Sequence, residues 1–384
     1  MSYFLTEEQV SIRDVARRFT QREVRPRVME LYGPKGHTFI KEMGKKMADL
    51  GFFRIPVPES AGGLGAPRTT LLVVYEELSK ESPALALHLM LNGVLPTMLL
   101  MGMPAAREKW FEKVLDGEAT MAGAGTDPRG LANFSEWSDL AVRDGDHFIL
   151  NGSRSYCTGG PYADLVIVFG LYKGTTWAFP LDVGTPGLII REDEKMGLGT
   201  SFGALTMSDV RVPVAESLEM SAWVKDRKLV QANGHSTINV LDISSMSLGL
   251  AEGVFEKTFE YALQRTNAGK SILTLGAIQV KFAKMKAQIE CARNMIYNAA
   301  RLLEEGRQDK MLEHMVKPIA TEMAVDVARS CMQLHGGMGY CVETGIERYL
   351  RDAMGLTIGE CTSDMHWSTV ATLMDMPETR LGSF

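Results

Sequence analysis

Residues 357–366 read T-I-G-E-C-T-S-D-M-H, placing the carboxylate of Glu360 between a glycine and a thiol, just ahead of two hydroxyls. Glycine punctuation and apolar neighbours on both sides point to a partly buried glutamate. A carboxylate withdrawn from water holds its proton more tightly, which suits it to acid–base work near neutral pH. Three further segments carry groups able to bind or orient a ligand: S-R-S-Y-C-T-G-G (153–160) after a strand-like F-I-L-N-G, Q-L-H-G-G-M-G-Y (333–340) after a helix, and Y-A-L-Q-R-T-N-A-G-K-S-I (261–272) between two helices. Each has a plain reading as well. Gly336 and Gly337 can end a helix, Arg265 can be a solvated helix-terminal charge, Tyr156 can be strand core, and Glu360 can be a surface residue beside a turn.

The elements that must position these residues are legible in outline. In L-T-E-E-Q-V, Thr6 can cap a helix, Gln9 can complete a capping box, and Leu5 with Val10 can form a hydrophobic staple. Helical sequence then runs to residue 120, broken at Gly33–Pro34 and at P-E-S-A-G-G-L-G-A-P (58–67). From 121 the texture changes to short apolar or β-branched runs bounded by Gly, Asp and Pro: F-I-L-N-G (148–152), D-L-V-I-V-F-G (164–170) and T-T-W-A-F-P-L-D-V (175–183). In L-T-M-S-D-V-R-V-P (205–213) the alternation changes phase near Asp209, as a bulge allows. Closely spaced strands with turn residues between them predict a compact all-β unit. Beyond it, Ile278, Phe282, Met285, Ile289, Ala292, Ile296, Ala299 and Leu303 recur at steps of four and three, the seam of an antiparallel helix bundle. The expected domains are therefore 1–120, 121–228 and 229–384. Strands never alternate with helices, which excludes a parallel α/β dinucleotide fold.

Composition narrows the function. At 384 residues the chain exceeds what one hydrophobic core usually serves. The 45% hydrophobic and 23% charged content is ordinary for a soluble enzyme. A net charge of −6 without any Lys/Arg run argues against a nucleic-acid partner. The 24 methionines serve first as core gap-fillers. Cys157, Cys291, Cys331, Cys341 and Cys361 are odd in number, widely spaced and without C-x-x-C, so no disulfide framework or metal site is expected, and a reduced, cytoplasmic compartment fits. The start carries no signal-peptide pattern. Residues 83–103 are long and apolar enough for a membrane span, but His88, Asn92, Gly93 and Pro96 interrupt them; a buried helix or helix pair is expected instead.

Taken together and in this order, the motifs make a specific pattern. Y-A-L-Q-R-T-x-x-G-K-x-I…Q-V-K-F-A-K-M (261–285), Q-L-H-G-G-M-G-Y (333–340), E-R-Y-L-R-D-A (347–353) and E-C-T-S (360–363) resemble the acyl-CoA dehydrogenase family along nearly the whole chain. The resemblance implies a mainly α, α+β architecture: an N-terminal helical domain, a central antiparallel β domain and a C-terminal four-helix bundle. It implies FAD, bound without a Rossmann fingerprint, and an acyl-CoA or other acyl thioester substrate. It implies an electron acceptor such as an electron-transfer flavoprotein, and a homotetramer or dimer. Glu360 falls on the family's catalytic base, which removes an α-proton while the β-hydrogen leaves as hydride to flavin N5; the backbone N–H of that glutamate and a flavin hydroxyl serve as donors to the thioester oxygen. Tyr156 and Thr158 match an aromatic–x–Thr segment packed on the isoalloxazine, and Thr126 matches the start of a loop touching flavin and substrate. Arg265 matches an arginine reaching the FAD pyrophosphate of a neighbouring subunit. Gln333, Gly336 and Gly337 match the loop admitting the ADP part, and Thr362 and Ser363 match hydroxyls that touch the dinucleotide. Asn92 lies in the stretch lining the acyl pocket of relatives.

The departures from the family pattern carry information too. After T-D-P, R-G-L-A-N-F (129–134) replaces the family's G-A-G-S-D. Ala268 and Gly276 stand where an aromatic and a glutamine usually contact FAD across a subunit interface. The Asp–x–x–Arg element that holds CoA falls near Thr237–Val240, without an arginine. Gly359 replaces a bulky aromatic and Cys361 a glycine, so the substrate expected is a bulky, cyclic or branched acyl thioester, with Cys361 a small apolar lining group. No arginine in 83–98 supports a dicarboxylic substrate. A heteromer whose partner chain completes the flavin site, a flavin-dependent oxidase or reductase, a carrier-protein thioester, and a scaffold lacking flavin are the competing readings.

Overall fold

A computed structural model describes residues 5–129, 139–220 and 237–374. The expected boundary at 228/229 and most of the R-G-L-A-N-F segment lie outside the described residues. The chain forms two compact units, one of Met1–Thr20, Tyr75–Pro83 and Thr237–Phe384, the other of Gln21–Val74 and Ala84–Ser236.

Helix α1 (Glu7–Phe19) starts on the expected capping box: the Gln9 N–H donates to Thr6 Oγ1 at 3.2 Å, and the Thr6 N–H donates to Gln9 Oε1 at 3.0 Å. The helical path continues through a π turn and a 3-10 stretch to Tyr32 and stops at Gly33. Next come α2 (Gly36–Asp49), α3 (Arg68–Ser79), α4 (Pro83–Leu89) and α5 (Pro104–Leu115). Beyond α4 the chain stays helical, as a π turn and then a 3-10 stretch, to Met101. This 83–101 segment is the one expected to be a buried helix or helix pair, and 67% of its most apolar window is buried inside the protein.

Strands β1 (Met121–Ala124), β2 (Ala141–Asp144), β3 (His147–Thr158), β4 (Leu165–Tyr172), β5 (Thr175–Asp182), β6 (Leu188–Asp193), β7 (Phe202–Pro213) and β8 (Leu218–Glu219) make two four-stranded sheets, ordered β1-β4-β5-β8 and β2-β3-β7-β6. One pairing departs from the antiparallel expectation: β1 runs parallel to β4, Met121 opposite Leu165. Val166, Val168, Phe179 and Leu181 from the first sheet and Phe148, Leu150, Leu205, Met207 and Val210 from the second share a single core. Phe148 meets Tyr172 and Trp177 edge-on at 5.0 Å and Phe179 at 5.4 Å. The phase change foreseen near Asp209 is a bulge. Ser208 and Asp209 together face Asn151, Asp209 has φ 53°, and the Asn151 amide both donates to its carboxylate and accepts from its N–H.

In the other unit, α6 (Thr237–Gln264), α7 (Gly276–Glu304) and α8 (Lys310–Leu334) pack along one another, and α9 (Glu347–Ile358) and α10 (Ser363–Leu373) lie against α8. Phe282, Met285, Ile289, Ala292, Ile296 and Ala299 are buried along α7, as the sequence spacing predicts. Helix α6 meets the 75–83 segment through two glycines one turn apart. A Cβ at Gly249 would lie 2.1 Å from the Glu76 carbonyl oxygen, and one at Gly253 would lie 2.0 Å from that of Lys80. Backbone cannot yield as a side chain can, so Gly249→Ala and Gly253→Ala should each cost about 1–3 kcal/mol, read as a lower midpoint in calorimetry.

Candidate active site

The loop carrying Glu360 joins α9 to α10. Helix α9 ends where Gly359 turns to φ −56°, ψ 144°, and the next two residues are left-handed, Glu360 at φ 51° and Cys361 at φ 73°. Glu360 is half-buried. Asn239 Nδ2, from the first turn of α6, donates to Glu360 Oε1 at 3.3 Å. Burial raises the Glu360 pKa above the usual carboxylate value; the Asn239 hydrogen bond opposes that, the buried Asp242 carboxylate adds to it, and Lys317 opposes it. Burial also pushes the Cys361 thiol up to about 12, with Glu360 adding, so this side chain stays a neutral thiol at physiological pH. A Cβ at Gly359 would meet Gly355 O and Ile243 Cδ1 at 3.9 Å, ordinary van der Waals contact, so a methyl group fits there without strain.

Elsewhere in the same unit, Arg265 is exposed at the base of a tight hairpin, Thr266–Asn267 paired with Lys270–Ser271, whose turn residues Ala268 (φ 48°) and Gly269 (φ 77°) are both left-handed. Helix α8 ends at Leu334; Gly336 (φ 60°) supplies the stop, so the plain reading of that glycine holds as well. Gln333, Gly336 and Gly337 are exposed, and a Cβ on either glycine would meet no protein atom within 4 Å. Thr362 is exposed, whereas the hydroxyl of Ser363 is buried and has no hydrogen-bond partner among the described residues.

In the β unit, Tyr156 is not strand core. It sits at φ 57° in a register shift of β3 with its side chain 62% exposed. Half-buried Thr158 ends that strand, and Thr126 bridges to Ser155, whose N–H donates to Thr126 O at 2.9 Å. Asp127 pairs with Arg129 at 2.8 Å. Asn92 is fully buried: Oδ1 accepts from the Met121 N–H at 2.8 Å, and Nδ2 donates to His88 O at 2.9 Å and faces His88 Nδ1 at 3.3 Å. That arrangement makes Asn92 a tie between the 90–94 turn and β1.

Sequence reasoning missed Lys317, His314, His366, Asn239 and Asp242. The available signal was polar residues at helical spacing within an apolar stripe, His314, Lys317 and Thr321 on α8, all of them buried.

A family model for the acyl-CoA dehydrogenase N-terminal domain matches residues 6–118, and one for the C-terminal domain matches residues 238–374. The chain is 31% identical to a 3-(aryl)acrylate reductase of Clostridium sporogenes, over 96% of this chain and 99% of the relative. It is 30% identical to the caffeyl-CoA reductase–Etf complex subunit CarC of Acetobacterium woodii, over 97% and 99%. It is 32% identical to a cyclohex-1-ene-1-carbonyl-CoA dehydrogenase of Syntrophus aciditrophicus, over 91% and 85%. The solved butyryl-CoA dehydrogenase of Megasphaera elsdenii superposes with a TM-score of 0.85 at 28% identity, covering 97% of this chain and 100% of that one. The chain belongs to the acyl-CoA dehydrogenase family of FAD-dependent oxidoreductases. Its residues fit that cofactor: the Ser363 hydroxyl, without a hydrogen-bond partner among the described residues, and the open approach over Gly336 and Gly337 are features a bound dinucleotide would satisfy or cover.

Proposed function

We propose that this chain catalyses α,β-dehydrogenation of an acyl-CoA thioester bearing a bulky, cyclic or branched acyl group, or the reverse reduction, with Glu360 as the base. The reading is carried by the 359–361 loop, where a half-buried carboxylate of raised pKa stands next to a glycine in the place of a bulky aromatic, with no atom closer than 3.9 Å to where its Cβ would be. Two relatives named above act, by name, on ring-bearing substrates. FAD, when bound, supplies the acceptor for the hydride leaving Cβ. Glu360 takes the α-proton, the Glu360 N–H serves as a donor to the thioester oxygen, and Asn239 holds the carboxylate as it gains the proton. In the reductive sense the same carboxylic acid delivers a proton to Cα. Tyr156, Thr158, Thr126, Arg265, Gln333, Gly336, Gly337, Thr362 and Ser363 hold FAD in this reading. Cys361 lines the acyl pocket as a neutral group.

Electrons pass to or from an electron-transfer flavoprotein, a partner that the name of the Acetobacterium woodii relative supports. The exposed Arg265, at the base of its hairpin, is free to reach a neighbouring chain in an oligomer.

A panel of cyclic, branched and linear acyl-CoAs, followed by anaerobic flavin bleaching, tests the substrate class. Gly359→Tyr should lower kcat/KM for cyclic substrates by about 10²-fold while changing linear ones by less than about tenfold. Equal losses on both would remove the pocket argument.

A further inference from the structure

We infer that Lys317 is a positioning residue of this active site, its buried ammonium holding the turn that carries Glu360 by donating to the carbonyl oxygens on either side of it. The inference rests on Glu360 being the base. Lys317 projects from α8 with no exposed surface, and Nζ lies 2.5 Å from Thr357 O and 2.6 Å from Cys361 O. Between those two carbonyls the backbone makes two consecutive left-handed residues, Glu360 and Cys361, neither of them glycine. L-residues visit that region at a cost and usually singly, so such a turn persists only where its surroundings over-determine it.

A second buried group completes the hold. His366, in α10, donates from Nε2 to Glu360 O at 3.0 Å. Its Nδ1 faces Nδ1 of His314, on α8 one turn before Lys317, at 3.1 Å, one nitrogen donating to the other. Two side chains thus occupy three carbonyl oxygens, one in the last turn of α9 and two in the loop, fixing the Cα–Cβ direction of Glu360 and so the place of its carboxylate. The ammonium also caps the end of α9, where carbonyls are unsatisfied and the helix dipole is negative.

Burial lowers the Lys317 pKa to about 8, with Cys361, Glu360 and Glu322 opposing the shift. The titratable groups around the loop are Glu322 and His314 on α8, Glu360 and Cys361 on the turn, His366 on α10, and Asp242 on α6, which acts on Glu360. The positive latch is complete below that pH and loses its charge above it.

The test uses the holoenzyme. Lys317→Met should keep its flavin absorbance and bind substrate with little change in KM, while the single-turnover rate of flavin reduction falls about 10²-fold. The decline of that rate above pH about 8 in the wild-type enzyme should vanish in the variant, and Lys317→Arg should recover part of the rate. If Lys317→Met does not fold, Lys317→Gln, a neutral donor, is read in the same assay with the same expectation. Wild-type rates and an unchanged pH profile in the variant overturn the inference, as does a wild-type profile flat from about pH 7 to 10. Glu360→Gln run alongside separates the two claims: if it still reduces flavin, the base assignment fails, whereas its inactivity beside a fully active Lys317→Met removes the latch alone.

Discussion

Glu360→Gln is expected to fold, to bind FAD, and to turn over about 10³- to 10⁴-fold more slowly than the wild-type enzyme. A carboxamide has the shape of the carboxylate and can still accept the Asn239 hydrogen bond, but it cannot take an α-proton. The wild-type rate should fall as pH drops through the raised Glu360 pKa, because protonation removes the base. Stability should move the other way. The folded pKa lies above the unfolded one, so between the two values the folded chain binds more protons, and stability declines as pH rises through that window. The charged carboxylate therefore costs stability near neutral pH, and the Gln variant should melt no lower than wild type at pH about 7. Low activity together with a depressed melting point would mean that the substitution damaged the loop instead of removing a base.

The second large effect is expected at Arg293, far from any reacting atom. Its guanidinium, 7% exposed, ion-pairs with Glu76 and with Glu252 at 2.7 Å, and the Tyr297 hydroxyl donates to Glu76 at 2.8 Å. Lys80 joins Glu252 at 3.5 Å and Glu256 at 2.8 Å, and Arg17 reaches Glu77 at 2.7 Å. Burial raises the Glu76 pKa even with the arginine in place. Arg293→Met leaves Glu76 without its main counter-charge and removes one of the cations around Glu252, where Lys80 and Lys286 remain, and should cost about 3–5 kcal/mol. Adding Glu76→Gln should recover part of that loss. Lowering the pH should narrow the gap between Arg293→Met and wild type, since protonation relieves the Glu76 carboxylate of its uncompensated charge. Calorimetric midpoints at about pH 5 and 7 for wild type and both variants check this; a loss in Arg293→Met that does not shrink at the lower pH would contradict it.

What the sequence disclosed follows from how local each signal is. The Thr6–Gln9 capping box and the α7 seam involve residues three or four apart, and both stand in the structure. The bulge at Asp209 showed as a phase change within nine residues. Strand β1 was not legible: M-A-G-A has no alternation, and its parallel partner β4 lies some forty residues away. Strand β6 was missed because L-I-I-R-E-D has exposed Ile189 and half-buried Leu188 and Ile190, a pattern too weak to stand alone. In the proposed site, Glu360 and Gly359 were singled out through their motif. Lys317 stands with His314 and Thr321 as a polar stripe on an apolar face of α8, but it and His366 act on backbone carbonyls, so their partners show only once α8, α9 and α10 are packed. The structural ties of Asn92 to Met121 and His88 were not legible either, because they join residues that meet only once the 90–94 turn packs on β1.

Exchange at the substrate α-carbon probes the base most directly. Under anaerobic conditions in deuterated buffer, wild-type holoenzyme should wash deuterium into Cα of a cyclic acyl-CoA during reversible turnover, and Glu360→Gln with FAD bound should not. Deuterium entering Cα at the wild-type rate in Glu360→Gln would mean that another group carries the proton.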